Sequence, residues 1–287
     1  MGWVITMPRI KKKYPLKSTP AQLKKAVSYS NTRIKKKLGT KKYKKMNRFL
    51  GRVNSDFNFS TVTPQRKENH INAGITSGLF RNKNTIDTKD PDLYVTAGIA
   101  GSGKSMSLKR DIKEPAVDID SDNFKQTYSK HYPSPAQGYN LAHAYFFHAT
   151  SKELSKKAIN KALAEGRNVI FDTTANDINN VRGIIAKFKA AGYDIHLMGT
   201  QRYPHKSIYS VTKRFIDGNV KYRRYVPLNV VAKNGNQINE NVFALRKSVD
   251  SHVIKDTNDF KNIKTITKRG SLTKNYRDPK KNQFKKR

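Results

Sequence analysis

The sequence predicts an α/β protein: a parallel sheet flanked by helices, with basic, partly helical extensions at both ends. Two observations carry that expectation. Between residues 91 and 268, β-rich apolar runs alternate with helical patterns, the spacing of a parallel sheet whose crossovers are helices. Outside that stretch the chain is dominated by Lys and Arg. The 287 residues hold 58 Lys+Arg against 21 Asp+Glu, a formal charge of +37. Residues 1–90 contribute +18, residues 91–260 +9 and residues 261–287 +10. The expected division is therefore 1–90 as a basic N-terminal extension, 91–268 as the central domain and 269–287 as a basic tail.

In chain order, residues 1–52 hold 17 basic side chains and no acidic one. Runs such as Lys35-Lys36-Lys37 and Lys41-Lys42-Tyr43-Lys44-Lys45 repel themselves and are not expected to make a core; they read as arms or helices held against an anionic partner. Within them, Thr19-Pro20 has the chemistry of a helix start, and Leu23, Val27, Ile34 and Leu38 trace a thin apolar stripe. The expected strands are Leu93–Ala97, Ala116–Ile119, Asn168–Phe171, Asp194–Met198 and Ile263–Ile266. Helices are expected near 104–112, 140–165, 178–191, 205–218 and 237–250.

The first strand runs into Gly98-Ile99-Ala100-Gly101-Ser102-Gly103-Lys104-Ser105, a full match to G-x-x-x-x-G-K-[ST]. Glycines at Gly98, Gly101 and Gly103 let the backbone N–H groups, that of Ser102 among them, turn toward a phosphate. Lys104 reaches the β and γ phosphates, and Ser105 can ligate Mg²⁺. A strand before and a helix after are the context the motif requires, so the central domain is read as a P-loop NTPase fold that binds a nucleoside triphosphate with Mg²⁺; the loop alone does not separate kinase, ATPase and GTPase. No Asn/Thr-Lys-x-Asp segment follows for guanine reading, and Asp172-Thr173-Thr174 lacks the adjacent Glu of a water-activating ATPase pair. Kinases of small molecules instead place a carboxylate at the tip of the next strand, facing the acceptor hydroxyl. Val117-Asp118-Ile119-Asp120-Ser121-Asp122 supplies several. One of these can orient a hydroxyl and take its proton, another can cap the following helix at Ser121 or Asp122, and Asp120 or Asp172 can assist Mg²⁺.

These residues together resemble the zeta-toxin family of P-loop kinases, including its phage-type relatives. The resemblance covers roughly residues 91–260. It rests on the phosphate loop, Asp120-Ser121-Asp122-Asn123-Phe124-Lys125 with His131-Tyr132-Pro133, Glu165-Gly166-Arg167 through Thr174, and Arg214-Phe215 followed by Arg224-Tyr225-Val226-Pro227. It implies an ATP-dependent kinase in which Asp122 is the base toward a hydroxyl acceptor, and Arg214 and Arg224 are lid arginines closing on the transferring phosphoryl group. A guanidinium fork that never deprotonates suits the charge spread over a phosphoryl-transfer transition state. The pattern departs where the family has Glu-Gly-Thr and this chain has Asp172-Thr173-Thr174. It departs again at Asn176, and at Lys156 and Lys157 where an acidic sugar contact is expected.

Composition sets the remaining expectations. The absence of cysteine excludes disulfides, zinc–thiolate sites and cysteine nucleophiles. Seven His residues form no HExxH pattern, and His143 and His148 are poorly spaced for one helix face. No apolar run approaches the ~18 residues of a membrane span, so a cytoplasmic or virion-associated protein is expected. Interleaved Lys, Arg and Tyr in the extensions point to nucleic acid, or a nucleic-acid-containing particle, as partner. Two other readings fit the same residues: a polynucleotide 5′-hydroxyl kinase, and a virion or nucleic-acid-associated structural protein using the P-loop fold as scaffold.

Overall fold

A computed structural model describes residues 14–55, 65–86, 89–108, 111–112, 114–131, 148–217 and 225–270. Its centre is a six-stranded sheet in the order β2-β3-β1-β4-β5-β6. The strands are β1 (Asp92–Ala97), β2 (Val117–Ile119), β3 (Val169–Thr173), β4 (Asp194–Gln201), β5 (Ser251–Asp256) and β6 (Lys264–Arg269). All pairings are parallel except β5–β6. Every residue of β1 is buried, as expected for a strand covered on both faces. Alternation along it separates two cores. Leu93, Val95 and Ala97 join the larger one with Phe171, Leu197 and Ile254, while Tyr94 turns to the other face with Met198 and Val253. From β1 the chain crosses to β2 on one side of β1, and from β3 to β4 on the other, so the carboxyl end of β1 is the point where winding reverses. Ligands of open α/β sheets bind at such a crevice.

The helices are α1 (Pro20–Leu38), α2 (Thr40–Ser55), α3 (Gln65–Leu79), α4 (Lys104–Ser107), α5 (Ser121–His131), α6 (His148–Ala164), α7 (Ile178–Ala190), α8 (Pro204–Asp217) and α9 (Leu228–Leu245). Two expected helices are corrected and one strand is added. The helix expected over 104–112 is a single turn ending at Ser107, with Leu108 in the turn after it. The helix expected near 237–250 begins nine residues earlier, at Leu228 behind Pro227. Ser251–Asp256, which carries polar and charged side chains at both ends, is a buried strand that the sequence reading left unassigned. Ile266 lies in an edge strand whose lysines face solvent, and that strand runs antiparallel.

For the described residues 14–48, the expectation that the lysine-rich stretches stand apart from the core is also corrected. Thr19 and Gln22 form a reciprocal capping box at the start of α1, with Pro20 at the first helical position, both strong helix-start devices. Ala26, Ser30 and Ile34 are buried along one face of the helix, which packs on α8 and α9. Ala26, Ile34 and Met46 belong to the same core as the sheet. The segment before α1 is tied down as well: Leu16 N–H donates to Gln201 Oε1 at 3.1 Å and Leu16 C=O accepts from Asn239 Nδ2 at 2.6 Å. Tyr14 Oη donates to Asp256 at 2.9 Å. The physical reason is segregation: apolar residues recur at helical spacing while Lys24, Lys25, Lys35, Lys36 and Lys37 all face solvent. Residues 80–86 are held through Arg167, whose guanidinium donates to Asn82 O at 2.6 Å and Thr85 Oγ1 at 2.8 Å and pairs with Glu165 at 2.7 Å.

Candidate active site

Backbone geometry at the end of β1 builds the phosphate loop. Gly101 and Gly103 adopt φ of +82° and +80°, a region open to glycine at little cost. The loop is also wedged from behind. A Cβ on Gly98 would lie 2.0 Å from Thr200 Oγ1, one on Gly101 2.8 Å from Ser207 O, and one on Gly103 2.4 Å from the Phe260 ring. The glycines thus serve packing behind the loop as well as backbone approach in front of it. Ser102 is fully buried, its hydroxyl bonded to that of Thr200 at 2.6 Å.

Lys104 ties the loop to the tip of β3. Its Nζ donates to Gly98 O at 3.2 Å and Thr173 O at 2.9 Å and pairs with Asp172 Oδ1 at 3.0 Å. The two side chains are only 14% and 11% exposed, so the pair is well removed from water. Ser105 follows on the exposed side of α4. The parallel pairing of β2 with β3 ends at Ile119 and Phe171, so Asp120 and Asp172 each follow the last residue of that pairing on their own strand. Asp120 is the residue before α5, and its Oδ1 accepts from Asp122 N–H at 2.8 Å. The cap is therefore Asp120, not Ser121 or Asp122. Asp122, in the first turn, is 30% exposed and pairs with Lys125 at 3.0 Å.

Arg214 lies in the last turn of α8 and is exposed. It is three residues beyond Val211, which with Ser207 O lies against Gly101, so it continues the helix face turned to the loop. Arg224 falls outside the described residues. Three contributors carried no motif. Thr200 closes on Ser102, and Phe260 sits against Gly103. Arg202, its guanidinium 4.1 Å over the Phe260 ring, donates to Thr257 O and to Ser210 Oγ at 3.1 Å. Burial draws the Arg202 pKa down to about 10, against the pull of Asp256. Beyond β3, Ala175 takes φ +58°, an uncommon conformation for a residue with a Cβ, and Asn241 of α9 donates to its carbonyl at 2.8 Å.

A family model for zeta toxins matches residues 76–277. The chain belongs to the zeta-toxin family. That match starts inside α3, earlier than the resemblance read from the motifs. It supports ATP-dependent, kinase-type activity for this zeta-toxin relative. Among solved structures, one of the PezAT chromosomal toxin–antitoxin system of Streptococcus pneumoniae superposes with a TM-score of 0.57 at 18% identity, covering 74% of this chain and 83% of that one. The AvrRxo1-ORF1:AvrRxo1-ORF2 complex with sulphate ions aligns with a TM-score of 0.52 at 14% identity, covering 74% of this chain and 69% of that one. At such identities the likeness concerns the fold, the mostly parallel helix-flanked sheet described above. No curated protein matches in sequence. Among the described residues of this family member, no helix is long and apolar enough to cross a membrane.

Proposed function

We propose that the protein transfers the γ-phosphoryl group of ATP to a hydroxyl acceptor bound beside the N-terminus of α5. The observation that carries this reading is Lys104, which joins the glycine loop after β1 to Asp172 near the end of β3, with Asp120 and Asp122 following β2 at the start of α5. A solved structure of AvrRxo1-ORF1:-ORF2 with ATP, at a TM-score of 0.50, supports the nucleotide assignment. In the reaction, the acceptor oxygen bonds to the γ-phosphorus as the bond to the bridging β–γ oxygen breaks, ADP leaves, and the acceptor proton passes to Asp122. Lys104 donates to the phosphate oxygens, exchanging backbone and carboxylate partners for them. Arg214 and Arg224 meet the charge that spreads over the transferring group.

The residues present suit a magnesium nucleotide: Ser105, Asp120 and Asp172 carry hard oxygen donors, the type that Mg²⁺ prefers while retaining several waters. When bound, Mg²⁺ neutralises phosphate charge. Incubation with γ-phosphate-labelled ATP and two acceptors, a UDP-N-acetyl amino sugar and an oligonucleotide with a free 5′-hydroxyl, tests the reaction. Label transferred to either by wild type, and lost in Asp122→Asn, supports the proposal; transfer undiminished in Asp122→Asn overturns the assignment of the base.

The basic extensions are read as a nucleic-acid-binding region. The support is charge and exposure: α1 and α2 carry no acidic side chain, and their lysines face solvent. Affinity from counterion release should fall by roughly 10³–10⁵ between about 50 and 200 mM salt if six to ten phosphates are met. Salt-independent binding would contradict it.

A further inference from the structure

The outer surface where α1 meets α8 has an order that charge alone does not explain. On α1, Lys25, Tyr29 and Arg33 recur every fourth residue, a spacing that stacks side chains on one helix face, and all three are exposed. On α8, Lys206, Tyr209 and Lys213 repeat the arrangement, an aromatic ring with a lysine one turn to either side. The two rows meet. The Tyr29 and Tyr209 rings pack edge to face with centroids 5.6 Å apart, and the Arg33 guanidinium lies 5.9 Å from the Tyr29 centroid. The row continues back past the start of α8, Tyr209 to His205 at 6.5 Å and His205 to Tyr203, which precedes the helix, at 5.6 Å. Ser18 fixes His205 by a 2.8 Å bond to Nδ1. Tyr29 is nevertheless 52% exposed, and among the described residues only Met106 is a more exposed large apolar or aromatic side chain.

A half-exposed tyrosine braced by a second ring and flanked by cations on both helices has the chemistry of a stacking platform. We infer that the joined face of α1 and α8 binds single-stranded nucleic acid, with a base stacked on Tyr29 and backbone phosphates on Lys25, Arg33, Lys206 and Lys213. The inference rests on reading the basic region as nucleic-acid-binding, and adds to it a site and a strandedness. Bases in a duplex are stacked on each other and present no face, whereas an unpaired base offers its π-face to an aromatic ring with little regard to sequence. The arginine at the end of the row adds a cationic plane of its own. Ser207 and Val211, on the other side of α8, lie against Gly101 of the phosphate loop, so the platform and the nucleotide site are two faces of one helix. Acidic groups are sparse here: α1 has none and α8 has only Asp217, in its last turn.

The test is fluorescence anisotropy on the full chain with a labelled oligo(dT) strand, a duplex of equal length, and heparin as a polyanion without bases. Tyr29→Ala should weaken oligo(dT) binding roughly 5- to 100-fold, the loss of one base–aromatic stack, and leave duplex and heparin binding within about twofold. Tyr29→Trp, which keeps a ring, should retain single-strand affinity, and Arg33→Glu should weaken all three ligands. Oligo(dT) affinity unchanged in Tyr29→Ala, or heparin weakened as much as oligo(dT), overturns the platform while leaving the basic region as a nucleic-acid or general polyanion binder. No binding of any nucleic acid by the wild-type chain overturns both readings. Mg·ATP binding, measured in the same variants, should be unchanged in each.

Discussion

Ile34→Ala asks whether α1 is part of the domain or a charged arm lying on it. Ile34 is fully buried and belongs to the core that includes the sheet, on a helix packed against α8 and α9. Truncation to Ala removes three carbon atoms and leaves a cavity that rigid neighbours fill only in part. Large-to-small changes of this kind cost about 2–5 kcal/mol. For a chain of this size each kcal/mol moves the melting temperature by about 2 °C, giving a fall of roughly 4–10 °C. The assay is thermal melting followed by circular dichroism, with Lys36→Ala as the exposed control, for which a change within about 0.5 kcal/mol is expected. Limited trypsin digestion reports on the same element, because loosening α1 exposes its lysines to cleavage. A melting temperature for Ile34→Ala within about 1 °C of wild type would refute the claim that this basic helix is built into the core.

Lys104→Ala should destabilise the nucleotide-free protein by roughly 3 kcal/mol, since it leaves the nearly buried Asp172 carboxylate without its cation, and adding Asp172→Asn should recover much of the loss in a denaturation cycle. Asp122→Asn should lower kcat by about 10²–10⁴, the range for loss of a general base, with ATP affinity almost unchanged; steady-state kinetics on the labelled transfer reads both. His205 and His252 are both held below the ordinary value of 6.5, each by burial first, then by neighbouring cations: Lys206 and Arg202 for His205, Arg269 and Arg246 for His252. The unfolded chain therefore binds protons at these sites more readily than the folded one, stability rises with pH, and it is lost as pH falls below about 6.5. Melting temperatures from about pH 7.5 down to about pH 5.5 should decline, and His205→Gln should flatten the slope.

The phosphate loop was legible because its chemistry is local: spacing of glycines, one lysine and one serine between a strand and a helix specify it without reference to the rest of the chain. The start of α1 was legible for the same reason, Thr19 and Pro20 being neighbours, while the reciprocal cap by Gln22 emerged from the structure. Strand β5 was not, because its burial comes from lying between β4 and β6, and nothing in Ser251–Asp256 announces that position. The stripe of Leu23, Val27, Ile34 and Leu38 was legible and does pack on the core; counting charge along the chain obscured this, because the lysines are segregated around the helix from that stripe. The contacts behind the loop were invisible in principle. Thr200, Phe260 and Arg202 are 96, 156 and 98 residues from Lys104, and only the fold brings Phe260 against Gly103 or Thr200 against Ser102. Asp120 illustrates the intermediate case: the sequence offered several carboxylates and two roles, and the hydrogen bond to Asp122 N–H assigned the cap.

The kinase reading stands on Lys104 meeting a nucleotide's phosphates in place of its present partners. Titration calorimetry of Mg·ATP into wild type and Lys104→Ala tests this directly, with folding of the variant checked by circular dichroism at the same temperature. Wild type should bind Mg·ATP, and Lys104→Ala should bind it roughly 10- to 100-fold more weakly, the loss of charge-assisted hydrogen bonds of about 1.5–3 kcal/mol. Equal affinity in the two proteins would contradict the account.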